Sequence, residues 1–230
     1  MKESQGRPRN AGGGSPAMRS ASGRGRYGPL PVPPLIPRST LSVQPVSPAP
    51  RIIPARIVIR PARPDDLEDA TLLERRVWGP LAATLNELQR RLFALPEAFL
   101  LAEMLRPGLP PQIVGMANGL IWTRDYPKSF GDYEKILPSS SHNPRGDVLY
   151  VASLGVEPVW RGRGIALRIL QETAEVGRRR HLKYLRLIGN GRSLPLYARA
   201  GFQTARALPN LFRQHRDRMP QPALMELPLF

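Results

Sequence analysis

The 230-residue chain contains no cysteine. That excludes disulfides, thiolate metal sites and a cysteine nucleophile, and it removes cysteine usage as a guide to compartment. Lysine is scarce: it stands only at positions 2, 128, 135 and 183, so all but four of the 34 basic residues are arginine. No run approaches the roughly 18 apolar residues that cross a bilayer. The first thirty residues lack a continuous apolar segment followed by a small-residue cleavage site. Neither a membrane span nor a secretory signal is therefore expected, and a soluble, cytoplasmic protein is the default.

What the sequence has in excess is positive charge, proline and glycine: a formal net charge of +16, 27 Pro and 20 Gly. The charge invites a nucleic-acid reading. The arginine bias, however, resembles codon composition as much as selection for phosphate contacts. The charge is also uneven, since residues 1–56 hold nine Lys or Arg against one Glu. Residues 1–50, with Gly12-Gly13-Gly14-Ser15-Pro16 and the proline-rich run Pro29 to Pro37, show no helical or strand period. They bury too little apolar area to offset an ordering cost of about 1–2 kcal/mol per residue. A disordered basic Pro/Gly/Arg-rich tail over 1–50 is the expectation, with one short Arg-Gly element, Ser22-Gly23-Arg24-Gly25-Arg26-Tyr27, of the kind that touches RNA or acidic surfaces.

Residues 51–230 read as one α/β domain. Ile57-Val58-Ile59 is a short β-branched strand, and Pro64-Asp65-Asp66 opens a helix, with proline in its first turn and carboxylates at the positive end. Leu67, Ala70, Leu73 and Val77 carry that helix to about Trp78, and a second amphipathic helix is expected over 81–93. Strands follow at 99–103 and 113–122, joined by the Pro107–Pro111 turn. After an irregular stretch over 124–147 come a strand at 148–156, a helix at 164–178, a strand at 184–188, a short helix at 193–199, and strands near 202–207 and 223–229. This order gives a mixed central sheet of six to seven strands flanked by helices.

The most informative segment runs from Leu149 to Ala166. A strand ends at Pro158, the turn Arg161-Gly162-Arg163-Gly164 follows, and a helix begins with Ile165-Ala166. Free N–H groups at a helix start converge on one point, the helix dipole adds positive charge there, and glycine lets a ligand approach the main chain. That is a pyrophosphate site, to which Arg161 and Arg163 would add charge-assisted contacts. An ordinary tight strand-to-helix connection is the alternative, and a Rossmann reading is disfavoured because no ribose-binding acid follows about 20 residues later.

Arg161-Gly162-Arg163-Gly164-Ile165-Ala166, preceded by Leu154-Gly155-Val156-Glu157-Pro158, resembles the signature of the Gcn5-related N-acetyltransferase (GNAT) superfamily. So does the downstream Asn190-Gly191-Arg192-Ser193-Leu194-Pro195-Leu196-Tyr197-Ala198-Arg199-Ala200-Gly201-Phe202. The resemblance implies a single GNAT-like domain over 51–230 with splayed fourth and fifth strands. It further implies acetyl-CoA as co-substrate with no metal, main-chain contacts from Leu154 and Val156 to the acyl carbonyl and pantetheine, and Asn190 at the pantetheine arm. Tyr197 would be the general acid on the departing thiolate, the competing reading being a tyrosine that covers the core edge. Many relatives carry a carboxylate just before the Leu-x-Val element, where this chain has Ala152 and Ser153. No general base is thereby designated among Glu103, Asp132, Glu134, His142, Asp147 and Glu157.

The expected activity is acyl-CoA-dependent N-acyl transfer, acetyl by family habit, to a primary amine by direct attack; the acceptor is a small-molecule or a protein amine. The competing readings are a non-catalytic acyl-CoA-binding module and a nucleic-acid binder acting through the tail. A homodimer is implied only by family habit.

Overall fold

The computed structural model describes residues 55–127, 129–134, 136 and 141–230; the expectations for the 1–50 tail lie outside them. Seven strands form one mixed sheet: β1 Arg56–Pro61, β2 Leu100–Leu105, β3 Gln112–Trp122, β4 Val148–Val156, β5 Tyr184–Gly189, β6 Gln203–Ala207 and β7 Ala223–Pro228, in the order β1-β2-β3-β4-β5-β7-β6. All neighbours pair antiparallel except β4 and β5, which are parallel. A parallel pair needs a crossover, and helix α4 (Ile165–Arg179) supplies it.

Two helical layers cover the sheet. On one face lie α1 (Leu67–Trp78) and α2 (Leu85–Ala94), whose Leu67, Ala70, Leu73, Leu88 and Leu92 pack on Phe99, Leu101 and Met116. On the other, α4 turns Ile165, Ile169, Leu170, Ala174 and Val176 onto β2–β5, joined by Tyr197 from the short helix α5 (Leu194–Arg199).

Helix α2 starts at Leu85 rather than near residue 81. Gly79–Leu81 forms a separate 3-10 turn, and Thr84 and Glu87 make a reciprocal capping box, Glu87 N–H donating to Thr84 Oγ1 and Thr84 N–H to the Glu87 carboxylate. The stretch expected to be irregular contains a short helix, α3 (Phe130–Glu134). Tyr126 and Tyr133 from this region pack edge-on against Trp122, which itself stacks on Tyr150 at 3.6 Å between ring centroids.

Candidate active site

The sheet opens between β4 and β5. Their ladder runs from Val148 opposite Tyr184 to Val151 opposite Leu187 and stops, although β4 continues to Val156 and β5 to Gly189. The cause lies on the other edge of β4. Asn118 of β3 faces Ser153 while Gly119 faces Val151, so Ala152 is an unmatched bulge residue. A bulge bends its strand and increases the local twist, which carries the end of β4 away from β5. Beyond it, Glu157 N–H donates to Val114 O at 2.9 Å and so points to β3. By strand alternation the main-chain groups of Leu154 and Val156 face the edge that β5 has left.

On the α4 side the gap leads into a cleft of about 690 Å3. Of the residues singled out in the sequence, Leu154, Val156, Arg161, Gly162, Gly164, Ile165, Ala166, Asn190 and Tyr197 line it together. Arg163 does not; its guanidinium stands 4.8 Å from the ring centroid of Trp160. Gly162 and Gly164 both have φ +76°, and a Cβ at either would meet nothing within 4 Å. Their backbone is thus one that side-chain-bearing residues rarely adopt, and it borders open space.

Gly164 is the N-cap of α4 and offers no side-chain cap. The first amide to bond back is that of Arg168, to Gly164 O at 3.1 Å, so the amides of Ile165, Ala166 and Leu167 have no backbone acceptor among the described residues. Five arginines (76, 161, 192, 199 and 218) and no carboxylate line this cleft among the described residues. With the exposed helix start they suit it chemically to a polyanion.

Two sequence candidates sit there in an already engaged form. Arg161 donates its Nε–H to Val156 O at 3.0 Å, which fixes the arginine on the end of β4. Asn190 Oδ1 accepts the amides of Arg192 and Ser193 at 3.0 and 3.2 Å, and its Nδ2 lies 3.3 Å from Met219 Sδ. The Asn190 side chain therefore holds the turn after β5 while bordering the cleft.

On the α1/α2 side the gap leads into a second cavity, of about 480 Å3. Trp78, Leu154, Ile188 and Tyr197 line both spaces, so the two meet at the gap. Tyr197 is only 6% exposed, and burial pushes its phenol up to about 12, with a hydrogen bond to Ser193 opposing the shift.

A carboxylate does reach this cavity, though not from the strand. Glu74 of α1 is 2% exposed, accepts from Ser153 Oγ at 2.7 Å and from Ala83 N–H at 3.3 Å, and lines the cavity wall. Desolvation raises its pKa above the ordinary carboxylate range, and the hydrogen bonds from Ser153 and Ala83 hold part of that rise back. Thus Ser153 of β4 presents its hydroxyl to an acid delivered by a helix.

The base candidates named from the sequence are engaged elsewhere. Glu157 pairs with Arg76 at 2.7 Å, Glu103 with Arg60 at 2.8 Å and Asp147 with Lys183 at 3.9 Å. Asp132 accepts from Ser129 N–H at 2.9 Å. His142 Nδ1 accepts the Ile121 amide at 3.2 Å, and burial lowers its pKa. None of these five lines the cavity among the described residues, and the side chain of Glu134 lies outside them.

Arg91 of α2, like Glu87 and Arg213, is a further charged residue of this cavity that the sequence reading passed over; it is 6% exposed and donates to Asn118 Oδ1 at 3.2 Å and to Ile136 O at 3.3 Å. The omissions of Glu74 and Arg91 both had a signal. Glu74 falls in the apolar stripe Leu67, Ala70, Glu74, Val77, and Arg91 in the stripe Leu88, Arg91, Leu95. A charge at a core-facing helical position is either paired or functional.

The sheet, its splayed parallel pair and the uncapped glycine-bordered helix start define the GNAT fold. A match to the model of the acetyltransferase (GNAT) family spans residues 69–202, more than half of the chain, and the protein belongs to that family. No curated protein matches the chain. Among solved structures, the GphF GNAT-like decarboxylase in complex with isobutyryl-CoA is 20% identical and superposes with a TM-score of 0.61 over 75% of this chain and 100% of that one. The loading GNATL domain of CurA from Lyngbya majuscula is 15% identical, with a TM-score of 0.61 over 76% and 98%. The NatC complex bound to Gag peptide and CoA contains a chain 19% identical, with a TM-score of 0.57 over 76% and 99%. These likenesses are likenesses of fold.

Proposed function

We propose that the protein is an acyl-CoA-dependent N-acyltransferase, with acetyl as the donor group and a primary amine as acceptor. The observation that carries this reading is the pair of spaces meeting at the β4–β5 gap. One is rich in arginine and borders a free helix start; the other holds a buried carboxylate; Tyr197 stands at their junction. Several of the similar solved structures have CoA or an acyl-CoA bound, which supports the same assignment of the first space.

In this reading the pyrophosphate rests on the amides from Ile165 to Leu167, with Arg161 beside them. The pantetheine arm follows Val156 and Leu154, and the thioester lies in the gap. The amine enters from the other cavity and attacks the thioester carbonyl carbon; the C–N bond forms and the C–S bond breaks. Main-chain donation from Leu154 stabilises the developing oxyanion. Tyr197, expected from the sequence as the general acid, meets the leaving sulfur. With its phenol near 12 against about 8.5 for a thiol, full proton transfer from Tyr197 is uphill. Its contribution is therefore a strong hydrogen bond to the thiolate, and the proton that ends on sulfur originates on the amine. Glu74, alone or through Ser153, accepts that proton in transit. With Glu74 in place, the missing strand acid no longer favours a non-catalytic binding module.

The test is calorimetric titration of the full chain with acetyl-CoA and with CoA, beside Gly164→Glu. Glutamate at φ +76° places a strained, negative side chain in the space assigned to the pyrophosphate. Micromolar binding that the variant loses, followed by thiol release with amines, is the expected result. A folded wild-type protein that binds neither ligand overturns the reading. Binding with no thiol release for any amine leaves only a binding module.

A further inference from the structure

Arg91 is a buried cation that forms no ion pair among the described residues. Its two hydrogen bonds go to Asn118 Oδ1 and Ile136 O, both neutral carbonyl oxygens, and its Nε has no partner. No carboxylate forms an ion pair with it among the described residues; Glu74 and Glu87 act on it only through their charge at a distance. A guanidinium removed from water is costly unless it is paired, and tying α2 to β3 through a carbonyl requires a donor, not a charge. Among the described residues the charge thus meets no opposite charge in contact, and the residue borders the cavity that also holds Glu74.

We infer that Arg91 binds a carboxylate in this cavity and that the acyl acceptor is a small amino acid-type compound, its amine toward Glu74 and its carboxylate on the guanidinium. This rests on the transferase reading above. Three further features fit such an acceptor. Four Glu and Arg side chains line the cavity: Glu87 is held in the cap of α2 and Arg213 is exposed, while the two buried ones, Glu74 and Arg91, carry opposite charges and do not touch each other, the arrangement that a zwitterion satisfies. Its volume of about 480 Å3 lies within the range of small-molecule sites. Trp78, Tyr133, Tyr150 and Phe212 line it, which favours an amino acid with an apolar side chain. A planar guanidinium already oriented by two carbonyls is suited to a carboxylate, and lysine at this position would lose the fork. The same guanidinium would also suit a carboxylate at the far end of a dicarboxylic acyl chain, so the experiment separates the two sources.

The full-length protein is assayed for thiol release from acetyl-CoA. The acceptors are glycine, L-leucine, L-methionine and L-phenylalanine, each beside its carboxamide, with simple alkylamines alongside. Arg91→Met and Arg91→Lys are measured in parallel, and CoA affinity is followed by calorimetry. The expected wild-type result is a preference of about tenfold or more in kcat/KM for at least one acid over its amide, the scale of a charge-assisted pair. Arg91→Met abolishes that preference by raising KM for the acid. It lowers the acid rate far more than the amide rate, leaves the CoA affinity unchanged because Arg91 does not line the cleft, and Arg91→Lys restores part of the preference.

Equal use of acids and amides by the wild type, or a preference that survives in Arg91→Met, overturns the inference while leaving the transferase reading intact. An Arg91-dependent preference for malonyl-CoA or succinyl-CoA over acetyl-CoA, without any preference for acid acceptors, overturns it in favour of the donor's carboxylate. Acetyl-CoA binding with no release for any amine removes both readings. If Arg91→Met fails to fold, the wild type decides: a rise in melting temperature of the CoA-saturated protein with the preferred acid but not its amide supports the inference, and its absence overturns it.

Discussion

At the residue scale, Glu74 combines a cost to stability with a position useful for chemistry. Its carboxyl is buried, and desolvation raises its pKa in the folded protein. The sign follows from linkage. A folded-state pKa above the unfolded one means that the folded state holds the proton more tightly, so stability is lost as pH rises from the ordinary carboxylate value through the folded one. For a proton acceptor the same rise is an advantage, since it brings the base nearer to neutral pH. Glu74→Gln separates the two effects. At pH 8 it is expected to lower kcat/KM by about 100-fold or more, the lower end of acid–base contributions, while the melting temperature stays level or increases. The acid limb of the wild-type pH–rate profile should lie above the ordinary glutamate range and vanish in the variant. A fall in stability with no loss of rate would make Glu74 a structural residue that holds Ser153 and the Ala83 turn.

At the element scale, α2 is the clearest case of a short helix set by its cap. Thr84 and Glu87 satisfy each other's main-chain amides, and the helix they start carries both Leu88 to the core and Arg91 to the cavity. Thr84→Ala is expected to cost about 1 kcal/mol, which lowers the melting temperature of a domain of this size by about 2–4 °C; thermal denaturation reads this directly. An unchanged melting temperature would mean that packing against Phe99 and Leu101 alone sets the helix. The elements were largely legible in the sequence because their patterns are local: the β-branched run of β1, the 3–4 spacing of α1 and the glycine turn before α4. The start of α2 was misplaced because the apolar residues Leu81, Ala82 and Ala83 continue the amphipathic pattern backwards, and only the capping pair marks where the helix begins. The cavity was not legible. Glu74 and Ser153 stand 79 positions apart, and neither belongs to a motif. The bulge at Ala152 that opens the sheet is a property of pairing with β3, invisible in β4 alone.

At the scale of the whole molecule, the question is what the net charge of +16 does. Its placement gives one answer within the described residues: five arginines border the cleft on the α4 side, with no carboxylate among its lining residues. Such a cleft attracts an anionic donor through both steering and contact, and both parts weaken as salt screens the exposed charges. CoA should therefore bind with an affinity that falls as NaCl rises from 50 to 500 mM, by about tenfold if two or three of these arginines meet phosphate. Binding of the donor to the folded state alone also stabilises it, by about 2.7 kcal/mol at a concentration of one hundred times Kd. That corresponds to a rise in melting temperature of about 5–10 °C for a domain of this size. Both effects should disappear together in Gly164→Glu. An affinity indifferent to salt would place the phosphates away from the arginines, and the free amides of α4 would then have to hold the donor through the main chain alone.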